Sequence, residues 1–141
     1  MAPADQKLEM LKSLPLFADL DHKHLERLGQ LTDEVDLPAQ RVLWSQGDPG
    51  TEAFVVVTGN LLVERNGRVL ANLGRGSIVG EMSIYAEGPR MATVTLTEPS
   101  ALLVISHGNF HVLMDEFPEV RLKVLDVLAQ RIRLLDPDGS H

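Results

Sequence analysis

The stretch from Gly76 to Val94 reads GSIVGEMSIYAEGPRMATV, and its composition predicts an anion-binding site. Gly80 has no side chain, which lets the backbone approach a ligand closely. The residues that follow, Glu81–Ile84, are typical of a short helical turn whose first N–H groups have no partner within the turn. Arg90 then adds a planar cation. We therefore expect the chain before this stretch to act as its scaffold.

The composition limits the class of protein. The chain has 141 residues, of which 44% are hydrophobic, enough for one globular domain with a core. The net charge of −7 argues against nucleic acid or an anionic membrane as a partner, because both require a positive surface. The lack of cysteine excludes disulfides and thiolate metal sites. No stretch approaches membrane-spanning length, so we expect a soluble, cytoplasmic protein.

Two short helices are predicted over residues 5–31. Asp5 is a candidate N-cap for the first helix, which Pro15 stops, and Asp21 is a candidate N-cap for the second. Apolar residues recur at helical spacing in both: Leu8, Leu11 and Leu14, then Leu25, Leu28 and Leu31.

From about residue 32 to residue 105 the pattern changes to short strands separated by turns. The predicted strands are Glu34–Leu37, Arg41–Trp44, Ala53–Val57, Asn60–Arg65, Arg68–Leu73, Met91–Leu96 and Ala101–Ile105. Asn66-Gly67 is the strongest hairpin signal in the chain. Many short strands at this spacing predict a mainly β protein, with an antiparallel, jelly-roll-like β-roll flanked by helices.

A pair of helices is predicted over residues 107–135. Ser106 is a candidate N-cap for His107–Glu116, and Pro118 suits the first turn of a final helix that ends at Asp136-Pro137-Asp138-Gly139. The final helix carries two apolar stripes: Leu122, Leu125, Leu128, Ile132 and Leu135, and beside them Val120, Val124, Val127 and Leu134.

Packing on one barrel requires only one such stripe. The second stripe indicates a homodimer through helix 118–135, a rearranged state of the same domain, or a wide core face on a monomer.

Together these features resemble the cyclic nucleotide-binding domain, and the likeness covers nearly the whole chain as a single domain, 1–141. It is carried by Gly80-Glu81, by PRMATV at 89–94, and by the Phe110 and Phe117-Pro118 helix pair. The family includes the effector domain of the catabolite activator protein, the regulatory subunits of cAMP-dependent protein kinase and the tails of cyclic nucleotide-gated channels. Its Gly-Glu…Arg-x-Ala stretch is the phosphate-binding cassette. The spacing here, 90 − 81 = 9 residues, is similar to the kinase-regulatory and channel form.

The resemblance implies a role for each residue of the cassette. Arg90 would bind the cyclic phosphate, with the N–H groups of Ser83 and Met91 on the remaining oxygens. Glu81 would accept a hydrogen bond from the ribose 2′-hydroxyl, with the Gly80 backbone alongside. An isolated Arg and Glu could also simply pair on a solvated loop.

The resemblance also places the base. Val63, Ala71 and Leu73 would line an apolar slot under a purine. Met91 replaces a Thr that contacts guanine in cGMP-selective relatives, which favours cAMP over cGMP. Arg131 matches an Arg near the base in the activator proteins, but the Thr-Ser pair that follows there is Leu135-Asp136 here. The full set of expected ligand contacts is Gly80, Glu81, Met82, Ser83, Arg90, Met91, Ala92, Val63, Ala71, Leu73 and Arg131.

The resemblance implies a regulatory module for a cyclic nucleotide, with cAMP or cGMP as ligand, no cofactor and no enzyme activity. The chain ends where the activator proteins begin their DNA-binding domain. We therefore expect no nucleic-acid binding by the chain itself, and output through an unknown partner protein or a fused effector domain.

Two other classes of protein remain as alternatives. A small β-barrel metal enzyme would need histidines on its strands, but all five, at positions 22, 24, 107, 111 and 141, lie outside the predicted strands. A degenerate member of the family would bind no nucleotide and would act as a dimerisation or interaction domain through the final helix.

Overall fold

A computed structural model describes residues 3–86 and 88–135 of the chain. Within these residues there are five α-helices and a 3-10 turn at Pro15–Phe17. The helices are α1 (Pro3–Lys12), α2 (His22–Leu31), α3 (Glu81–Ala86), α4 (His107–Glu116) and α5 (Pro118–Leu135).

Eight strands form two antiparallel four-stranded sheets. They are β1 (Asp33–Leu37), β2 (Val42–Trp44), β3 (Ala53–Thr58), β4 (Leu61–Arg65), β5 (Arg68–Leu73), β6 (Ile78–Val79), β7 (Thr93–Leu96) and β8 (Ser100–Ile105). The first sheet has the order β1-β8-β3-β6, and the second has the order β2-β7-β4-β5. The predicted antiparallel β-roll with flanking helices is confirmed.

Strand β3 of the first sheet is buried on both faces, which explains its apolar run from Ala53 to Val57. One face contributes to an inter-sheet cluster made of Phe54, Val56, Leu61, Val79, Val94, Leu96 and Leu102. The other face packs on the helices in a helix-side cluster that includes Leu28, Val55, Leu103, Phe110 and Val124. Because side chains alternate along a strand, consecutive residues of β3 enter different clusters.

Local signals fix the helix starts and the hairpin as the sequence predicts. The Asp21 side chain accepts a hydrogen bond from the N–H of His24 at 2.9 Å, and Ser106 caps α4 in the same way. Asn66 and Gly67 join β4 to β5 with φ angles of +52° and +77°, the left-handed conformation that a two-residue hairpin turn requires.

The first helix begins earlier than predicted. Asp5 lies inside α1, so it does not cap the helix, because Pro3 with its fixed φ already suits the first turn. Leu14 lies beyond the end of α1 but is fully buried beside the 3-10 turn. The predicted helix start was wrong, whereas the burial of Leu11 and Leu14 follows the predicted apolar face.

Two differences lie in the stretch that opened the sequence analysis. Ile78 and Val79 form the short strand β6, which was not predicted, and pair with Val55 and Phe54 of β3. Strand β7 begins at Thr93 instead of Met91. The carbonyl oxygens of Met91 and Ala92 accept hydrogen bonds from the side chains of Arg65 and Trp44, so they are not available to a neighbouring strand.

The two apolar stripes of α5 have different surroundings. Val120 and Val124 are fully buried in the helix-side cluster. The other stripe is largely exposed: the exposed fractions are 66% for Leu122, 41% for Leu125 and 53% for Ile132. The predicted helix end at 136–139 lies outside the described residues.

Candidate functional site

Gly80 forms the connection between β6 and α3, with a φ of +91°. A Cβ atom at this position would lie 2.5 Å from the carbonyl oxygen of Glu52 and 2.8 Å from Nη1 of Arg90. Both distances are shorter than van der Waals contact, and the φ angle is one that other residues rarely adopt. Glycine therefore allows the guanidinium of Arg90 to pack directly against this backbone.

Arg90 is a buried cation, with only 5% of the residue exposed. Its Nη2 donates a hydrogen bond to the carbonyl of Glu52 at 3.0 Å, and its Nη1 donates a longer one to Gly80 at 3.4 Å. Burial lowers the pKa of the guanidinium, whereas the charges of Glu52 and Glu81 raise it. Arginine nevertheless stays charged at neutral pH. Its Nε has no hydrogen-bond partner within the part of the chain that the structure describes.

Two further neighbours determine where the guanidinium of Arg90 lies. Its Cζ is 3.8 Å from the centroid of the Trp44 ring, within the range of a cation–π interaction. The loop before β3 also passes close by, since a Cβ at Gly50 would lie 2.0 Å from Nε and 2.4 Å from Cζ. The cation is therefore confined by the backbone of the loop as well as by the ring.

Glu81 is the first residue of α3 and is almost fully buried, with 1% exposed. Its Oε1 forms an ion pair with Nη1 of Arg131 in α5, fifty residues further along the chain. Its Oε2 has no hydrogen-bond partner among residues 3–86 and 88–135. Buried acceptors in proteins are rarely left unsatisfied, so this oxygen is available to a ligand hydroxyl.

Both charged side chains line one cavity, which is partly open to solvent. Apart from the charged groups of Glu81, Arg90 and Arg131, its wall is mainly apolar. The lining residues are Trp44, Val63, Leu70, Leu73, Val79, Gly80, Glu81, Met82, Arg90, Met91, Ala92, Val94 and Arg131. A mainly apolar wall with a few convergent charged groups is typical of a small-molecule site.

Nine of the eleven residues predicted to contact the ligand line this cavity, and Ala71 does not. Ala71 pairs with Val63, but the register between β4 and β5 shifts at the next position, and Leu70 takes the place at the wall. Ser83 lies in α3, and its side chain lies outside the described residues.

Sequence reasoning missed Trp44, Leu70, Val79 and Val94. Trp44 ends β2 and reaches the carbonyl of Ala92, 48 residues away, with its Nε1–H at 2.9 Å. No local spacing in the sequence signals such a contact. Leu70 could have been found only from the bulge, whereas Val79 and Val94 lie within the stretch Gly76–Val94 but were not among the predicted ligand contacts.

Neither a metal centre nor a membrane span is found in the described part of the chain. Within residues 3–86 and 88–135, no group of three or more His, Cys, Asp or Glu residues could hold a metal ion. The rings of His107 and His111 meet edge to face at 4.7 Å between centroids. None of the described helices is both long and apolar enough to cross a bilayer.

The chain belongs to the cyclic nucleotide-binding domain family, whose sequence model matches residues 34–117. It is 34% identical over 108 residues to the Pycsar effector protein XpPycTIR of Xanthomonas perforans, covering 76% of this chain and 36% of that protein. It therefore spans about a third of that relative's length. The expected resemblance is confirmed.

Solved structures support the same fold. The catabolite activator protein of Thermus thermophilus is 29% identical with a TM-score of 0.76, over 88% of this chain and 61% of that chain. The structure described as cAMP-bound PfPKA-R has a TM-score of 0.86 over 96% of this chain and 47% of that chain. Its sequence identity is only 15%, so this second likeness concerns the fold alone.

Proposed function

We propose that the protein is a cyclic nucleotide sensor, and that its ligand is cAMP. The observation that carries the proposal is that two charged side chains, Arg90 and Glu81, lie in the wall of one mainly apolar cavity. Both are almost fully buried, and each keeps a polar atom without a partner among the residues described. A cation and a carboxylate held in this way suit one small ligand that carries an anion and a hydroxyl.

In this proposal Arg90 binds the cyclic phosphate and Glu81 accepts the 2′-hydroxyl of the ribose. The N–H groups of Ser83 and Met91 bind the remaining phosphate oxygens, and Gly80, Met82 and Ala92 lie along the ribose phosphate. The proposal is supported by the chemistry of the residues. A guanidinium makes strong charge-assisted hydrogen bonds to phosphate, and an ionised carboxylate can only accept.

The base occupies the apolar part of the cavity. Val63 and Leu73 line it, and Leu70 replaces Ala71 as the third strand residue at the wall. Met91 offers no hydroxyl to a guanine. An apolar slot without this donor favours adenine, which is the reason for proposing cAMP over cGMP.

Calorimetric titration of the chain with cAMP and with cGMP tests the proposed ligand. We expect binding of cAMP with a dissociation constant in the micromolar range or tighter, and weaker binding of cGMP. A 2′-deoxy analogue should bind more weakly still, because it leaves the buried Glu81 carboxylate without its hydroxyl partner. No heat with either nucleotide at millimolar concentration would rule out the sensor.

The proposal extends to a relay through α5. Arg131 on this helix is paired with Glu81 on the cavity wall. A nucleotide that uses the second oxygen of Glu81 changes the charge and hydrogen bonding around this ion pair. A ligand can shift the position of a helix only by its differential affinity for two states. The ion pair between Arg131 and Glu81 supplies such a difference in affinity, because it exists only when the end of α5 lies over the cavity.

Hydrogen exchange with and without cAMP tests the relay. We expect cAMP to slow amide exchange in residues 127–135 of the unmodified chain, and Arg131→Gln to remove most of this effect while the protection of residues 80–86 remains. Arg133→Gln is a matched control, since Arg133 is an exposed residue on the same helix. Equal protection of α5 in both variants would mean that the ion pair does not carry the signal.

A second candidate function is a nucleotide-free interaction domain. The exposed stripe of Leu122, Leu125 and Ile132 is the observation that favours it, because a largely exposed apolar surface often marks an interface. In either function we propose that this stripe, together with the half-buried Leu128, forms a homodimer.

Sedimentation of the chain with and without cAMP tests the dimer. We expect a reversible dimer, and we expect Leu125→Glu to shift it to monomer without unfolding the chain, because Leu125 is outside the core. Val69→Glu is a suitable control, since Val69 is also exposed but lies on β5. A monomer under all conditions would contradict the proposed interface.

The proposal also covers the setting of the domain. We propose that residues 1–141 act as one cytoplasmic regulatory domain with no enzyme activity of its own, and with no direct contact with nucleic acid or membrane. Its output passes to a partner protein or a fused effector. The net charge of −7 is consistent with the lack of a nucleic-acid partner.

A further inference from the structure

Trp44 links three parts of the site that lie far apart in the sequence. Its ring lies 3.8 Å from the Arg90 guanidinium carbon. Its Nε1–H donates a hydrogen bond to the carbonyl of Ala92 at 2.9 Å. The ring also packs on Phe54 of β3, with 5.7 Å between centroids and an interplanar angle of 38°. Trp44 is thus anchored at two points while it contacts the cation.

Arg90 needs such an anchor because its side chain is long and its own hydrogen bonds are few. One of its two bonds to backbone carbonyls is 3.4 Å long, and Nε has no partner among the residues described. An arginine side chain loses much of its rotamer freedom when it is fixed in one orientation. A flat aromatic surface beside the guanidinium removes many of these rotamers before any ligand arrives.

We propose that Trp44 is a positioning residue that holds Arg90 in its anion-binding orientation. This inference rests on the proposed function, because it assigns the phosphate to Arg90. Trp44 raises the affinity for the nucleotide by holding the guanidinium of Arg90 in place, and not by contacting the nucleotide itself. The hydrogen bond to Ala92 serves the same end, because it fixes the ring relative to the backbone two residues after Arg90.

A double-mutant cycle separates this role from direct contact with the base. Trp44→Leu should weaken cAMP binding about tenfold in the chain that retains Arg90, the size expected for a desolvated cation–π contact. In an Arg90→Gln background the same change should alter affinity less than about twofold, since residues that act through each other are not additive. Dissociation constants in the Arg90→Gln background are expected to reach the millimolar range, which ligand-observed NMR can measure.

Trp44→Phe is the conservative variant. It keeps an aromatic face and loses the indole N–H, so we expect it to recover most of the affinity lost in Trp44→Leu. If circular dichroism shows that Trp44→Leu is unfolded, the cycle is run with Trp44→Met, which also removes the aromatic face. An equal loss of affinity in both Arg90 backgrounds would overturn the proposal and make Trp44 a direct ligand contact. No loss in either background would overturn it as well.

A measurement without ligand tests the contact itself. Trp44 is the only tryptophan in the chain, so its fluorescence reports its surroundings without labelling. Arg90→Gln should change the emission of the free protein, whereas Arg68→Gln, which makes the same change at an exposed position, should not. Unchanged emission in Arg90→Gln would overturn the stacking. If the unmodified chain binds no cyclic nucleotide, the proposed function fails, while the emission still decides whether Trp44 and Arg90 are in contact.

Discussion

Replacing Arg90 with glutamine is expected to weaken cAMP binding by about a hundredfold or more, which corresponds to the 2–5 kcal/mol typical of a buried, charge-assisted pair. Glutamine keeps a hydrogen-bonding group but removes the charge and the planar fork of donors. The loss should appear as a higher dissociation constant in calorimetry. The bound phosphate would then lie in the cavity without the cation that is proposed to bind it.

The fold should tolerate the same substitution. Arg90 makes two hydrogen bonds to backbone carbonyls, but its burial disfavours the charged form, as the lowered pKa indicates. Losing those bonds and relieving that burial have opposite effects on the free energy of unfolding. We expect a melting temperature close to that of the unmodified chain. Arg68→Gln controls for the change in net charge, and unchanged affinity in Arg90→Gln would mean that the phosphate binds elsewhere.

Gly50→Ala is expected to lower the affinity for cAMP about tenfold to a hundredfold, although Gly50 touches no part of the proposed ligand. The added methyl group would lie 2.0 Å from Nε of Arg90, so the guanidinium must leave the position described. Displacements of about 1 Å are enough to cost a hundredfold where the geometry of a charged contact matters. Gly50 does not have a positive φ, so alanine fits its backbone.

Gly108→Ala is the matched control for this methyl group. Gly108 lies in α4, and a Cβ there would have no atom within 4 Å. Alanine in a helix should raise stability by up to about 1 kcal/mol and leave affinity unchanged. Both variants are compared by calorimetry and thermal melting. Full affinity in Gly50→Ala would show that Arg90 binds its anion from a position other than the one described.

The sequence was most informative where structure depends on neighbouring residues. The Asn66-Gly67 turn and the caps at Asp21 and Ser106 each depend on one or two side chains and their own backbone, and all three were predicted. Asp5 has the chemistry of a cap but lies inside α1. The difference is that Pro3 begins the helix earlier, which a preference for capping residues cannot reveal.

The part of the cavity wall formed by residues 80–92 could be predicted because these residues are close in sequence, whereas the surroundings of Arg90 could not. Gly50 and Trp44 meet Arg90 across forty residues or more, and their contact depends on how β2 lies against β7. Leu70 lines the cavity in place of the predicted Ala71, and this difference also depends on how strands pair. A one-residue shift in register turns the other side of a strand toward the cavity. The periodicity of the sequence predicts neither the bulge between β4 and β5 nor the contacts of Gly50 and Trp44 with Arg90.

The burial of β3 on both faces has a consequence for how the chain loses its structure. The inter-sheet cluster and the helix-side cluster both contain residues of β3, with Phe54 and Val56 on one side and Ala53, Val55 and Val57 on the other. Denaturant that detaches the helices exposes one face of β3 and removes the packing on that side of the strand. The two clusters are thus thermodynamically coupled, and β3 should hold the slowest-exchanging amides of the protein. Glu52, whose carbonyl accepts from Arg90, directly precedes that strand, so the cation is attached to the last part of the fold to open.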